Sequence, residues 1–285
     1  MWTTENRARY DRSALRYASD LTDAELGLIA PLIPSAKRGG NKRTIEMRAV
    51  VDALMYVLST GCQWRTLPTD MPARSTVYGY FDLWDYEGTL MRIHHALFVQ
   101  CQEQAGREAS PTAAIIDSQS VKGAEKGGLS IGPPGFDAGK KIKGKKRHIL
   151  VDTQCLLMPA LVHSAGIQDR DGGVWVMATL FGLYPFLLKL YADGGYQGPR
   201  FQAGLRRACR QVDVEIVKRS DQASAVTAKG FTVLPKRWIV ERTFAWLNRC
   251  RRLAKDLECH SRKALAFLHC ASLRLMIRKL CQAAK

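Results

Sequence analysis

No stretch of the 285 residues reaches 18 uninterrupted apolar positions, so a membrane-spanning helix is not expected. The first twenty residues (MWTTENRARYDRSALRYASD) lack an apolar core, and no secretory signal is expected there. None of the cysteines at 62, 101, 155, 209, 250, 259, 270 and 281 forms a CxxC pair, which makes reduced cytosolic thiols the default. Cys259, Cys270 and Cys281 recur at about three helical turns, so they are expected on one helix face. His260 and His269 lie near them, but structural zinc sites use closer ligand pairs, and helix-packing cysteines are the reading taken. The chain has no internal repeats. It is also short of acids, with 26 Asp+Glu against 43 Lys+Arg and a formal net charge of +17. That excess favours a polyanionic partner, nucleic acid first and an anionic membrane surface second.

The order of patterns predicts an α/β protein in which a small all-helical, helix-turn-helix-like domain precedes a mixed-sheet core. Residues 1–20 are polar and read as a flexible arm, and 21–105 as the helical domain. Thr22 and Asp23 open a helix that Pro34 stops, and a basic loop (KRGGNKR, 37–43) follows. Thr44–Thr60 has helical spacing and ends at Gly61. A turn around Trp64, Arg65, Leu67 and Pro68 leads to a short helix carrying Arg74, Ser75, Thr76 and Tyr78. That arrangement suits reading of duplex DNA, and equally a scaffold or dimerisation unit. After a linker at 106–111 come strands and helices to residue 258, with a basic loop at 122–147, and then a C-terminal helix at 259–285. Lys140, Lys141, Lys143, Lys145, Lys146 and Arg147 on that loop suit phosphate contacts, or simply solvation.

Three acids stand out. Asp117 interrupts the apolar run AAIIDSQSV, Asp193 ends LLKLYAD ahead of two glycines, and Glu241 is the only acid between Lys236 and Lys255 on a helix rich in Arg and Lys. Ligands of open α/β sheets gather at the carboxyl ends of strands, where Asp117 and Asp193 are expected. Carboxylates so placed can hold two Mg²⁺ or Mn²⁺ ions and cut a phosphodiester. Glu241 is either a third ligand or the partner of Arg237 four residues before it. Asp152 is a fourth acid or a turn-former, and Asp137, Asp169 and Asp171 read as caps or loop residues. Trp238, Phe244 and Trp246 read as core, with stacking on an unpaired base the other possibility.

The motifs IDSQSVKG, GFDAGKKIKGKKRHILVD, QDRDG, YADGGYQG and RWIVERTFAWLNRCRRL, in this order, resemble the DDE transposases of bacterial insertion sequences, in the branch named after insertion sequence five. LTDAELGLIAPLIP, GCQWRTLP and STVYGYFDLW extend the resemblance over roughly residues 21–258. It implies an RNase H-like core and a catalytic and metal-binding triad of Asp117, Asp193 and Glu241. It further implies double-stranded DNA as partner, a homodimer or larger assembly, and a cytoplasmic, nucleoid-associated location. Arg237, Arg249, Arg251 and Arg252 would then stand beside the scissile phosphate. In the wider superfamily a tyrosine and a lysine flank the helical acid, where this chain has Leu234 and Asn248. A nuclease of the same fold that does not join strands, and a non-catalytic DNA-binding descendant, are the rival readings.

Overall fold

A computed structural model describes residues 3, 4, 7, 10–36, 39, 43–124, 134–180, 182–217 and 236–283. The chain forms two compact units. One comprises Met1–Gln104, Arg249–Leu253 and Ala266–Lys285, and the other Ala105–Asn248 and Ala254–Leu265.

The first unit is helical. Helix α1 (Asp23–Ile29) starts at a reciprocal capping box between Thr22 and Glu25. Helix α2 (Met47–Thr60) ends where Gly61 adopts φ 69°, a left-handed conformation in which a side chain would be strained. Helices α3 (Arg74–Tyr86) and α4 (Thr89–Gln104) follow. The long helix α8 (Ser261–Ala283) contributes Phe267 and Leu268 to this core, with the Phe267 ring tilted against that of Phe81, centres 4.6 Å apart. Each such buried Leu or Phe contributes about 1.5–3 kcal/mol relative to exposure.

Two expectations change in this unit. Residues 10–20 are not a free arm, because Arg12 pairs with Glu25 at 2.8 Å and the Tyr17 hydroxyl donates to Asp70 Oδ1 at 2.9 Å. The α2–α3 connection is also not the tight turn of a helix-turn-helix. It spans residues 61–73, including a 3₁₀ turn at Trp64–Thr66 and the helix-breaking Pro68 and Pro72. Most of the basic loop 37–43 lies outside the described residues.

The second unit is a mixed sheet between helices. Its strands are β1 (Ala113–Lys122), β2 (Gly135–Asp137), β3 (Ile142–Asp152), β4 (Leu157–Ser164), β5 (Lys189–Ala192) and β6 (Asp213–Ile216). The order is β2-β3-β1-β5-β6, with β4 also paired to β3. Strand β1 is antiparallel to β3 on one side and parallel to β5 on the other, and β5 is parallel to β6. Helices α5 (Asp169–Ala178), α6 (Pro199–Ala208) and α7 (Arg237–Leu247) complete the unit. Asp152 is the turn-former of the β3–β4 hairpin, its Oδ1 accepting from the N–H groups of Gln154 and Leu156. No helix among the described residues is long and apolar enough to cross a membrane.

Candidate active site

The register of β1 against β5 brings the two aspartates together. Ile115 pairs with Tyr191, and Asp117 and Asp193 each lie two residues further along these parallel neighbours. Neighbouring strands are about 4.8 Å apart, so the two acids share one end of one strand pair. Asp117 does not end its strand as expected. Strand β1 continues to Lys122 on its β3 side, whereas β5 stops at Ala192, and this leaves the β5-side edge open from Asp117 onward. At the tip of β5, Asp193 Oδ1 accepts the Gly195 N–H at 2.8 Å.

Helix α7 supplies the third acid. Arg237 in its first turn reaches Asp193 Oδ2 at 3.8 Å and Glu241 Oε1 at 3.6 Å. The ion pair expected as a competitor for Glu241 is therefore present, and the same guanidinium ties Glu241 toward Asp193. Lys236 just before the helix sits 3.9 Å from the Tyr191 ring centre, which fixes the start of α7 to β5.

Electrostatics single out Asp117. Dense packing around its carboxylate, joined by the negative charge of Asp193, raises its pKa to about 6, while the Ser118 N–H bond, Arg237 and Lys140 act the other way. Its Oδ1 accepts from Ser118 N at 2.7 Å. Among the described residues, no three His, Cys, Asp or Glu side chains converge tightly enough to hold a metal ion between them. The donor set nevertheless suits a hard divalent cation. It consists of carboxylates, one of them disfavoured as an anion beside its neighbour, and a cation between them would relieve that repulsion.

The expected DNA contacts divide. Lys145, Lys146 and Arg147 are buried in β3 and do not lie on a loop, because strand alternation sends them to opposite, covered faces. Lys145 Nζ pairs with Asp256 at 3.1 Å and donates to Glu258 O at 2.6 Å. Lys146 pairs with Asp169 at 2.8 Å, and Arg147 donates to Asn248 Oδ1 at 3.5 Å. Asn248 in turn donates to Gln119 Oε1 at 3.2 Å, while Leu234 lies outside the described residues. Lys145→Ala would remove the 3.1 Å ion-pair partner of the buried Asp256, and a loss of about 3 kcal/mol in urea unfolding is expected, against little change for exposed Lys143→Ala.

The helix of Glu241 ends at Leu247, so Arg249, Arg251 and Arg252 are not on it. Arg252 is buried and donates to Cys62 O at 2.9 Å, whereas Arg249 and Arg251 are exposed. Lys140, Lys141 and Lys143 are also exposed, as are Arg74 and Ser75. Ser75 and Thr76 border a groove of about 550 Å³ with Arg43 and Tyr80. Trp238 is not core: it is 39% exposed, with the Arg242 guanidinium 4.3 Å from its ring. Cys259 precedes α8 and is exposed, so it shares no helix face with Cys270 and Cys281.

Sequence reasoning missed two groups. The exposed Arg200, Arg206 and Arg207 stand on α6, directly after the Asp193 turn, and their i, i+6, i+7 spacing was the available signal. Asp169, expected as a cap or loop residue, is the first residue of α5, where an acid suits the helix dipole, and its side chain also bonds to the sheet.

Comparison with known proteins agrees with these motifs. The family described as "Transposase DDE domain" matches residues 108–276, and the one described as "Putative transposase of IS4/5 family" matches residues 21–94. Two relatives come from Burkholderia cepacia. The "Insertion element IS402 uncharacterized 16.2 kDa protein" is 30% identical over 112 residues, 37% of this chain and 75% of that protein. The "Putative transposase for insertion sequence element IS402" is 31% identical over 121 residues, 39% of this chain and 52% of that protein. No solved structure matches. With the family match spanning most of the chain, the protein belongs to the DDE-domain transposases.

Proposed function

We propose that this chain is an insertion-sequence transposase of the insertion-sequence-five branch that binds its element's terminal repeats, cuts the DNA there and joins the freed end to target DNA. The observation that carries the reading is the pairing of Asp117 and Asp193 across parallel neighbours, with Arg237 linking Asp193 to Glu241. A central strand antiparallel on one side and parallel on the other supports an RNase H-like core.

Asp117, Asp193 and Glu241 would hold two Mg²⁺ or Mn²⁺ ions, which when bound activate an attacking oxygen and stabilise a leaving one. Arg237 keeps Asp193 and Glu241 directed at one space and supplies positive charge where the scissile phosphate becomes more negative. Lys140 bonds Ser118 O at 3.1 Å and adds a second cation at Asp117. In cleavage, a bond from water oxygen to phosphorus forms as the bond to the 3′ oxygen breaks, which leaves a 3′-hydroxyl and a 5′-phosphate. In joining, that hydroxyl attacks a target phosphodiester. One such bond forms as another breaks, so the step needs no outside energy source. The exposed Arg74, Lys140, Lys141, Lys143, Arg249 and Arg251, together with Arg200, Arg206 and Arg207, are available for phosphates. Two ends must meet, so a dimer or larger assembly on DNA follows.

The test supplies pre-cleaved element ends, a target plasmid and Mg²⁺. Joined product is the expected result. Cleavage of intact ends without joining would make the protein a nuclease, and binding without either would make it a non-catalytic DNA-binding protein.

A further inference from the structure

Asp169 lies behind the two strand acids and touches the structures that carry both. Its Oδ1 accepts from Ser118 Oγ at 2.8 Å and from Lys146 Nζ at 2.8 Å. Ser118 is the residue whose N–H holds the Asp117 carboxylate, so one hydroxyl and one amide of a single residue join the two acids. Lys146 is fixed in turn by Ile167 O at 2.9 Å and Asp137 at 3.4 Å. The His148 ring, directly across from Ser118 on β3, bonds the Asp169 carbonyl at 3.2 Å. The start of α5 is therefore anchored to both β1 and β3.

The other carboxylate oxygen faces the second strand. A β-carbon placed on Gly195 would sit 3.5 Å from Asp169 Oδ2 and 3.0 Å from Asp193 Oδ1. The two carboxylates thus flank one methyl-sized space, and Asp169 abuts the same turn whose N–H orients Asp193. Tyr196, fully buried next to this turn, has the charges of Asp117, Asp169 and Asp193 all acting on its hydroxyl. Its first-turn position suits the helix dipole, but that position does not account for the bonds to Ser118 and Lys146.

We propose that Asp169 is a positioning residue: through Ser118 on β1 and the Gly195 turn after β5 it sets the separation of Asp117 and Asp193, and so their joint grip on divalent ions. This rests on the active-site reading above. Groups that hold metal ligands in place commonly change metal affinity or activity by about 10–100-fold when removed. Asp169→Asn keeps an acceptor for Ser118 but loses the charge that holds Lys146. Ser118→Ala leaves the Asp169–Lys146 pair intact and cuts the tie to β1, together with the Ser118 contact to the Tyr196 hydroxyl.

The test measures Mn²⁺ binding to the full chain by electron paramagnetic resonance, alongside end cleavage across a Mn²⁺ titration. Asp169→Asn is expected to bind Mn²⁺ about 10–100-fold more weakly. Its cleavage rate should fall correspondingly, its affinity for the DNA end should stay unchanged, and high Mn²⁺ should restore its rate. Asp117→Asn should not be restored at any Mn²⁺ concentration. Ser118→Ala should move in the same direction as Asp169→Asn, and it decides the matter if Asp169→Asn does not fold. Wild-type Mn²⁺ binding and rate in Ser118→Ala, with binding lost in Asp117→Asn, would overturn the role of Asp169 alone. Equal Mn²⁺ binding by wild type and Asp117→Asn would overturn the active-site reading and this proposal with it.

Discussion

Asp117→Asn is expected to lose end cleavage by about 10³-fold or more while making the folded protein more stable. The loss follows from removing a charged oxygen donor at the reacting centre. The gain follows from burial. With its pKa raised from 3.8 to about 6, the folded protein holds the Asp117 proton more tightly than the unfolded chain does. An acid shifted this way costs nothing below pH 4. Its cost grows as pH rises from about 4 to 6 and is complete above that. Discounting for the part of the side chain that remains open to solvent, the cost at neutral pH is about 2 kcal/mol. Asparagine has nearly the same shape, keeps an acceptor for the Ser118 N–H and carries no charge. Its melting temperature should therefore exceed wild type by about 4–8 °C at pH 7.5 without divalent ions. Added Mg²⁺ should raise the wild-type melting temperature and leave that of Asp117→Asn in place, because only a group that binds the ion in the folded state is stabilised by it. A variant less stable than wild type at pH 7.5 would show that the Asp117 charge is already compensated by Arg237 and Lys140.

Much of this site is legible in the chain because strand ends and helix periodicity are local properties. The break of an apolar run at Asp117, the Asp-Gly-Gly after β5 and the i, i+4 pair Arg237–Glu241 can each be read within ten residues. The basic segment 140–147 misleads for the opposite reason. Lysines in a Gly- and Pro-rich context read as loop, and nothing local reveals that Asp256 or Asp169 will neutralise them inside a sheet. Charge is usually a sign of exposure, and here long-range pairing overrides it. The helix after Glu241 misleads in a similar way. Its Arg-rich continuation looks helical in one dimension, yet α7 stops at Leu247 and Asn248 turns its side chain toward β1 and β3. Asp169 was overlooked because an acid at the start of a helix has an ordinary explanation in the helix dipole. Only the sheet beneath it shows where the carboxylate goes.

Acid should unfold this protein early, and buried histidines are the cause. Each compact unit contains a close pair: His94 with His269, ring centres 5.4 Å apart, and His148 with His163, bonded through ring nitrogens at 2.7 Å. Burial lowers the pKa of all four. In the first pair, His269 falls to about 4, and His94 is pushed well below 6.5 by burial and by the neighbouring His269 and His95. In the second, His148 is lowered by burial and by His163, with Asp169 opposing, and His163 by burial and by Lys146, with the Ser164 carbonyl and Asp169 opposing. For each, the unfolded chain takes up a proton near pH 6.5 and the folded chain does not until lower pH. Stability is therefore complete by about pH 7.5, starts to fall near pH 6.5 and drops further toward pH 4. The loss is up to about 1.4 kcal/mol per pH unit for each histidine. Asp117 works in the opposite direction over pH 4–6, as does Asp52, whose pKa burial also raises, but these are two groups against four, so the net slope stays steep. Urea unfolding at pH 7.5, 6.5, 5.5 and 4.5 should show a midpoint that falls a little across the first interval and sharply across the other two. Replacing His269, which faces no carboxylate and is lowered by burial alone, with Gln should flatten the profile below pH 6. A midpoint unchanged down to pH 4.5 would mean that both pairs take up protons in the folded state, which the 2.7 Å contact between two ring nitrogens allows only if one ring stays neutral as the acceptor.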